Sequence, residues 1–117
     1  MTQFGQHIRD TREEFRKEDR RYSLRQVAQR IGIEPAYLSK IERGEFPPPS
    51  EATTLALAGE LGADPDVLLA MAGKVSKELQ EIIRKRPKLF ADLIRQLKEV
   101  PDHAILRVVR EVRDGDW

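Results

Sequence analysis

The sequence predicts an all-α protein, with five short helices packed as one bundle over residues 1–73 and a helical extension over residues 74–117. Three observations predict it. Apolar residues recur at i, i+3, i+4 and i+7 in one segment after another. The breaks between segments carry helix punctuation: Ser or Asp before a first turn, Pro at a first helical position, Gly just past a last turn. Leu, Ile, Val, Ala, Arg and Glu abound while aromatics make up only 6% of the chain, which favours helix over sheet.

The elements follow in order. Phe4, Ile8, Thr11, Arg12 and Phe15 share helical spacing and place a first helix from Phe4 to about Lys17, with Arg12 the one charged member of an otherwise core-like face. Arg16–Tyr22, RKEDRRY, is a dense charge run that reads as a solvated loop or as an extension of the first helix. Leu24, Val27, Ala28 and Ile31 then form one face of a second helix, with Ser23 as its N-cap and Gly32 at the left-handed stop. After the turn Gly32-Ile33-Glu34, Pro35 opens a third helix. Leu38 and Ile41 point to one side of it, and Ala36, Tyr37, Lys40 and Arg43 to the other. Gly44 ends it. Two helices locked at a steep angle, with one polar face outward, make a helix-turn-helix.

Glu45-Phe46-Pro47-Pro48-Pro49 is a stiff extended connector, since each proline biases its predecessor away from helix. Phe46 is expected to pack beneath it. Ser50 caps a fourth helix, Glu51 to Leu61, with Leu55, Ala58 and Leu61 facing the core and Gly62 ending it. Asp64-Pro65 opens a fifth as N-cap and N1. Val67, Leu68, Leu69, Met71 and Ala72 are expected to complete the core before Gly73.

Residues 74–117 differ in character. Ser76 caps a sixth helix, to about Arg86, with Leu79, Ile82 and Ile83 apolar. Pro87 breaks it. Leu89, Phe90, Leu93, Ile94 and Leu97 form a seventh, broken at Pro101. Ile105, Leu106, Val108, Val109 and Val112 form an eighth that ends near Gly115 and Trp117. Three short helices with broad apolar faces leave more apolar surface than they can cover among themselves, and such surface normally finds a partner. Leu89, Phe90, Leu93, Ile94, Leu97, Ile105 and Val109 are the expected dimer or partner contacts.

Composition excludes several classes. The chain has 117 residues, no cysteine and a net charge of +1. Disulfides, thiolate metal sites and thiolate nucleophiles are therefore ruled out. His7 and His103 lie far apart and form no metal-binding i, i+4 pair. No Gly-rich phosphate loop occurs, and the serines stand where helices need caps. No enzymatic activity, metal or cofactor is expected. No apolar run is long enough to span a membrane, MTQFGQHIRD lacks the apolar segment of a signal peptide, and a cytoplasmic location is the expectation. Charge distribution says more than net charge. Residues 1–50 hold ten bases against eight acids, whereas residues 51–73 hold four acids and no base. A locally basic face on a near-neutral chain suits a nucleic-acid binder of limited non-specific affinity.

Four runs together resemble the Cro/CI-type, or Xre-like, helix-turn-helix domain of phage repressors and bacterial regulators. They are SLRQVAQRIGI, AYLSKIERG, GEFPPPSEATTLALAGELG and DPDVLLAMAG, and the resemblance covers about residues 4–73. It implies the five-helix lambda-repressor-like fold. The stretch between the first two helices is a few residues longer than is usual in that family.

The resemblance also implies roles. A first-helix arginine in this family commonly pairs, buried, with a glutamate near the end of the third helix; here these are Arg12 and Glu42. Pro35, Ala36 and Lys40 fall on the usual base-facing positions, with Tyr37 and Ser39 beside them. Lysine donates well to guanine O6 and N7, and an alanine methyl suits thymine. Ser23, Arg25, Ser39 and Arg43, with Arg20 and Arg21, are the expected contacts to the DNA backbone, which position a protein without reading sequence. The implied function is a DNA-binding transcriptional regulator, acting as a homodimeric repressor. The rival is an antitoxin or adaptor whose tail holds a protein partner encoded nearby, such as a toxin or metallopeptidase.

Overall fold

The computed structural model describes residues 3–115 and 117. The helices are α1 Gln3–Arg16, α2 Leu24–Ile31, α3 Pro35–Glu42, α4 Glu51–Leu61, α5 Pro65–Met71, α6 Lys77–Lys85, α7 Pro87–Gln96 and α8 Asp102–Asp114, with 3₁₀ turns at Arg20–Tyr22 and Leu97–Glu99. The chain divides into two compact units between Ser76 and Lys77.

In the first unit α3 packs against both α1 and α2, and α4 packs against α5. The core draws on all five helices: Phe4 and Ile8 from α1, Val27 and Ala28 from α2, Leu38 and Ile41 from α3, Leu57, Ala58 and Leu61 from α4, and Leu68 from α5. Burying each large aliphatic side chain is worth about 1.5–3 kcal/mol against leaving it in water. The helix ends are closed by the residues that mark them in sequence. Ser50 Oγ accepts from the Thr53 N–H at 3.3 Å, and the Asp64 carboxylate accepts from the Asp66 N–H at 2.9 Å. Beneath the proline run, the Pro49 carbonyl oxygen accepts from Lys74 Nζ at 3.1 Å and from the fully buried Thr54 hydroxyl at 3.5 Å. That ties the connector to the bundle at both ends of the α4–α5 segment.

Five expectations need correction. Phe15 is 42% exposed. Phe4, Ile8 and Arg12 follow one another at four-residue steps down the buried line of α1, so Phe15 falls off that line and stacks on Tyr22 instead, at 4.8 Å between ring centroids. Leu55 is 41% exposed, and the buried face of α4 is Thr54, Leu57, Ala58 and Leu61. Val67 is 57% exposed, because the adjacent Leu68 and Leu69 take the inner side of the short α5. The charge run is solvated over Arg16–Glu18 and at Arg20 and Arg21, but it is neither a plain loop nor a helix extension. Its second half is a 3₁₀ turn capped by Asp19, whose carboxylate accepts from the Arg21 N–H at 2.9 Å. Phe46 does not pack beneath the connector; it turns back onto α3.

The second unit is built from α6, α7 and α8. None of its described residues is fully buried. Leu89, Leu93, Ile94 and Val109 are exposed, and Phe90, Leu97 and Ile105 are half-buried.

Candidate nucleic-acid interface

The site is assembled by local chemistry first. Ser23 Oγ accepts from the Gln26 N–H at 3.3 Å and starts α2. Gly32, at φ 79°, ends it in the left-handed region that residues with a β-carbon avoid. That reversal lets the Ile33 N–H reach back to the Ala28 carbonyl at 3.0 Å. Pro35 then enters α3 at N1, where it has no N–H to leave unsatisfied.

The faces of α3 separate cleanly. Leu38, Ile41 and Glu42 are buried, Ala36 and Lys40 are exposed, and Pro35, Tyr37 and Ser39 are half-buried along the boundary. Arg43, just past the helix, is exposed. What fixes the helix from behind is a two-toothed ion pair. Arg12 Nε donates to Glu42 Oε2 at 2.8 Å and a terminal nitrogen donates to Oε1 at 2.9 Å. The side chains are 4% and 3% exposed. The remaining donors of Arg12 reach the Tyr22 carbonyl at 3.1 Å and the Glu13 carboxylate at 3.1 Å. The hydrogen bond to Glu42 raises the Arg12 pKa above its ordinary value, and burial, which opposes the charge, does not undo this. Among the described residues no buried side-chain nitrogen or oxygen lacks a hydrogen-bond partner.

Around α3 the candidate residues fall into groups. Arg25 shares a shallow groove with Gln29, Ile33, Glu34 and Pro35. Ser39 and Arg43 line a cleft with Arg9, Arg12, Glu13, Leu24 and Glu42. Arg43 also pairs with Glu45. Arg20 and Arg21 are exposed, but Arg21 lines a different groove with Tyr22, Arg30 and Glu60 and is paired to Asp19 at 2.8 Å. That pairing, chiefly the side-chain hydrogen bond from Arg21, holds the Asp19 carboxyl below its usual range.

Two residues join the site that sequence reasoning passed over. Arg9 stands one turn before Arg12 and brings a further cation to the cleft beside Ser39 and Arg43. Phe46 lies 5.9 Å from Tyr37 between ring centroids, and the Lys40 ammonium sits 5.1 Å from its centre. An aromatic set directly behind the end of α3, in an otherwise polar and proline-rich connector, was the available signal. The assembled surface is one polar edge of a short helix flanked by cations, a shape that a DNA major groove admits.

Among the described residues no group of His, Asp or Glu is placed to hold a metal ion, and no helix is long and apolar enough to cross a membrane. A family model described as a helix-turn-helix domain matches residues 3–71. The chain is similar to the uncharacterized HTH-type transcriptional regulator RghRB of Bacillus subtilis (strain 168), at 35% identity over 82 residues, covering 70% of this chain and 55% of that protein. The chain thus spans about half the length of that relative. No solved structure matches it significantly. The α2–turn–α3 geometry and the extent of the family match lead to one conclusion: this chain belongs to the helix-turn-helix domain family.

Proposed function

We propose that the chain is a sequence-specific DNA-binding transcriptional regulator that represses as a homodimer. The observation that carries this is the division of α3: Leu38, Ile41 and Glu42 anchor it, while Ala36, Tyr37, Lys40 and Arg43 face away from the core or lie along its edge. In this reading Pro35, Ala36, Tyr37 and Lys40 meet base edges, with Lys40 the main hydrogen-bond donor. Ser23, Arg25, Ser39 and Arg43, with Arg20 and Arg21 at the periphery, meet phosphates. The ion pairs Arg21–Asp19 and Arg43–Glu45 are exposed. Such pairs are worth only about 0–1 kcal/mol, so exchanging a carboxylate for a phosphate costs little.

The exposed apolar side chains of the second unit support pairing. Pro35 offers no donor and Ala36 only a methyl, so one copy reads few positions. Two copies joined through α6–α8 would set their α3 helices in successive major grooves, about 34 Å apart on a pseudo-palindrome. Occlusion of a promoter is then the mode of action. A band-shift titration of the full chain against the DNA upstream of its own coding sequence, at moderate salt and with unrelated DNA as competitor, tests this. A specific, saturable shift is expected; equal affinity for both DNAs would overturn the reading.

A second reading, an antitoxin or adaptor, draws on the same exposed side chains of α7 and α8, which suit a foreign protein as well as a second copy. Light scattering on the purified chain separates them: a dimer favours self-pairing, and a monomer favours a partner protein such as a toxin or metallopeptidase encoded nearby.

A further inference from the structure

Phe46 belongs neither to the core nor to the helix-turn-helix, yet it is bound to the outer edge of α3 by both backbone and ring. Gly44, at φ 75°, reverses the chain at the end of α3. The N–H groups of Glu45 and Phe46 then both donate to the Lys40 carbonyl, at 2.9 and 3.3 Å. The Phe46 ring meets Tyr37 at 5.9 Å and the Lys40 ammonium at 5.1 Å. Pro47 and Pro48 follow and restrict the backbone on the far side. The ring is 40% exposed, so core filling does not account for its place. It touches the two long side chains that the proposed function assigns to base edges, and they lie one turn apart on the same helix.

We propose that Phe46 is a positioning residue for base recognition, holding the Lys40 ammonium and the Tyr37 ring in one arrangement before DNA arrives. This rests on the reading of α3 as the base-contacting helix. A lysine carries a flexible four-carbon stem whose ordering on binding opposes affinity. A ring beneath the ammonium orders it in advance, and preordering of this kind favours the bound state. The ring attracts the charge through its quadrupole, without a lone pair to occupy the donors needed for a base. Arg43 shows the contrast: its guanidinium is taken up by the carboxylate of Glu45, which a phosphate can replace but which gives no base preference.

The experiment is selection from a randomised double-stranded DNA pool by the full chain and by its Lys40→Ala, Tyr37→Leu, Phe46→Leu and Phe46→Tyr variants. It is paired with NMR of the Lys40 side-chain protons in the free protein. Lys40→Ala should relax the preference at one base pair. Phe46→Leu should relax it at that same base pair about two- to fivefold, with an unchanged melting temperature, and Phe46→Tyr should restore it. The Lys40 methylene protons should be shifted upfield by the ring in wild type and in Phe46→Tyr, and not in Phe46→Leu. Wild-type selectivity in Phe46→Leu, equal losses in the leucine and tyrosine variants, or losses at base pairs that neither Lys40→Ala nor Tyr37→Leu relaxes would each overturn the proposal. The last would mean that Phe46 itself touches DNA. An absent upfield shift in wild type overturns the positioning role alone, whereas a Lys40→Ala variant that selects as wild type does overturns the reading of α3 beneath it.

Discussion

A β-carbon placed on Gly5 would stand 2.1 Å from the carbonyl oxygen of Ile41. Helix α1 therefore meets the end of α3 backbone against backbone, with no side chain between them. That contact fixes how deep the last turn of α3 sits, and with it the height of the exposed edge above the core.

Gly5→Ala is expected to destabilise the fold by about 1–3 kcal/mol, the usual cost of overpacking, even though alanine is the better helix former by about 1 kcal/mol. Gly59, within α4, has nothing within 4 Å of the corresponding position. There the same substitution should stabilise by about 0.5–1 kcal/mol. Urea denaturation of the two variants, moving in opposite directions, checks both.

The pair Arg12–Glu42 predicts an asymmetric result. Arg12→Ala or Glu42→Ala leaves one charge buried without its partner and should cost about 3–5 kcal/mol. Replacing both together by Met and Leu should cost far less, or even stabilise. Arg12→Lys should behave like a loss, since an ammonium cannot offer the parallel fork that Glu42 accepts. A double-mutant cycle in denaturant measures the coupling.

Lys40 and Arg25 should separate reading from anchoring. Lys40→Ala is expected to lose about 1–3 kcal/mol of specific affinity and to relax selectivity at one base pair. Arg25→Ala should weaken binding to all sequences alike and reduce the slope of log affinity against log salt by about one. Titrations at several salt concentrations, on specific and scrambled DNA, distinguish the two.

Asp19 sets a pH expectation. Its carboxyl is held below the ordinary value of 3.8 by the hydrogen bond from Arg21. A carboxyl with a lowered folded pKa contributes stability that is present above the unfolded value and lost as pH falls through the folded one. Loss of the 3₁₀ turn should therefore begin only in the acid range below 3.8, and Arg21→Gln should return the Asp19 titration towards 3.8. Carboxyl-carbon NMR titration reads this directly.

Leu89 and Ile94 are exposed on α7. Under the proposed pairing, introducing Glu at both should convert a dimer to a monomer in analytical ultracentrifugation and weaken binding to a two-half-site DNA. The melting of α1–α5 should not change. A double variant that still sediments as a dimer would place the pairing surface elsewhere.

The legible part of the fold was the part written in local chemistry. Ser23, Gly32, Pro35, Ser50 and Asp64 each act on neighbours within a few residues, so their positions alone marked α2 through α5. Leu55 and Val67 misled for a related reason. Helix α4 is apolar or small almost all round, and α5 is too short to show a period, so neither pattern selects a face. Thr54 is buried, and its hydroxyl reaches the Pro49 carbonyl five residues back at 3.5 Å, a pairing across the start of α4 that apolar spacing does not reveal. At the site, Leu38 and Ile41 separated from Ala36 and Lys40 by periodicity, whereas the buried place of Glu42 came with the family resemblance. Phe46 came with neither, because its role depends on a chain reversal that brings it back over a helix already past.

The division of labour along α3 has an evolutionary reading. The side chains of Ala36 and Lys40 are exposed, while Leu38, Ile41 and Glu42 are buried and hold the helix to the bundle. Exchange of the outer pair therefore costs the fold little, whereas exchange of the inner three is limited by packing and by the Arg12–Glu42 pair. The outer face of α3 can thus be rewritten one residue at a time while the interior stays as it is and the chain stays folded.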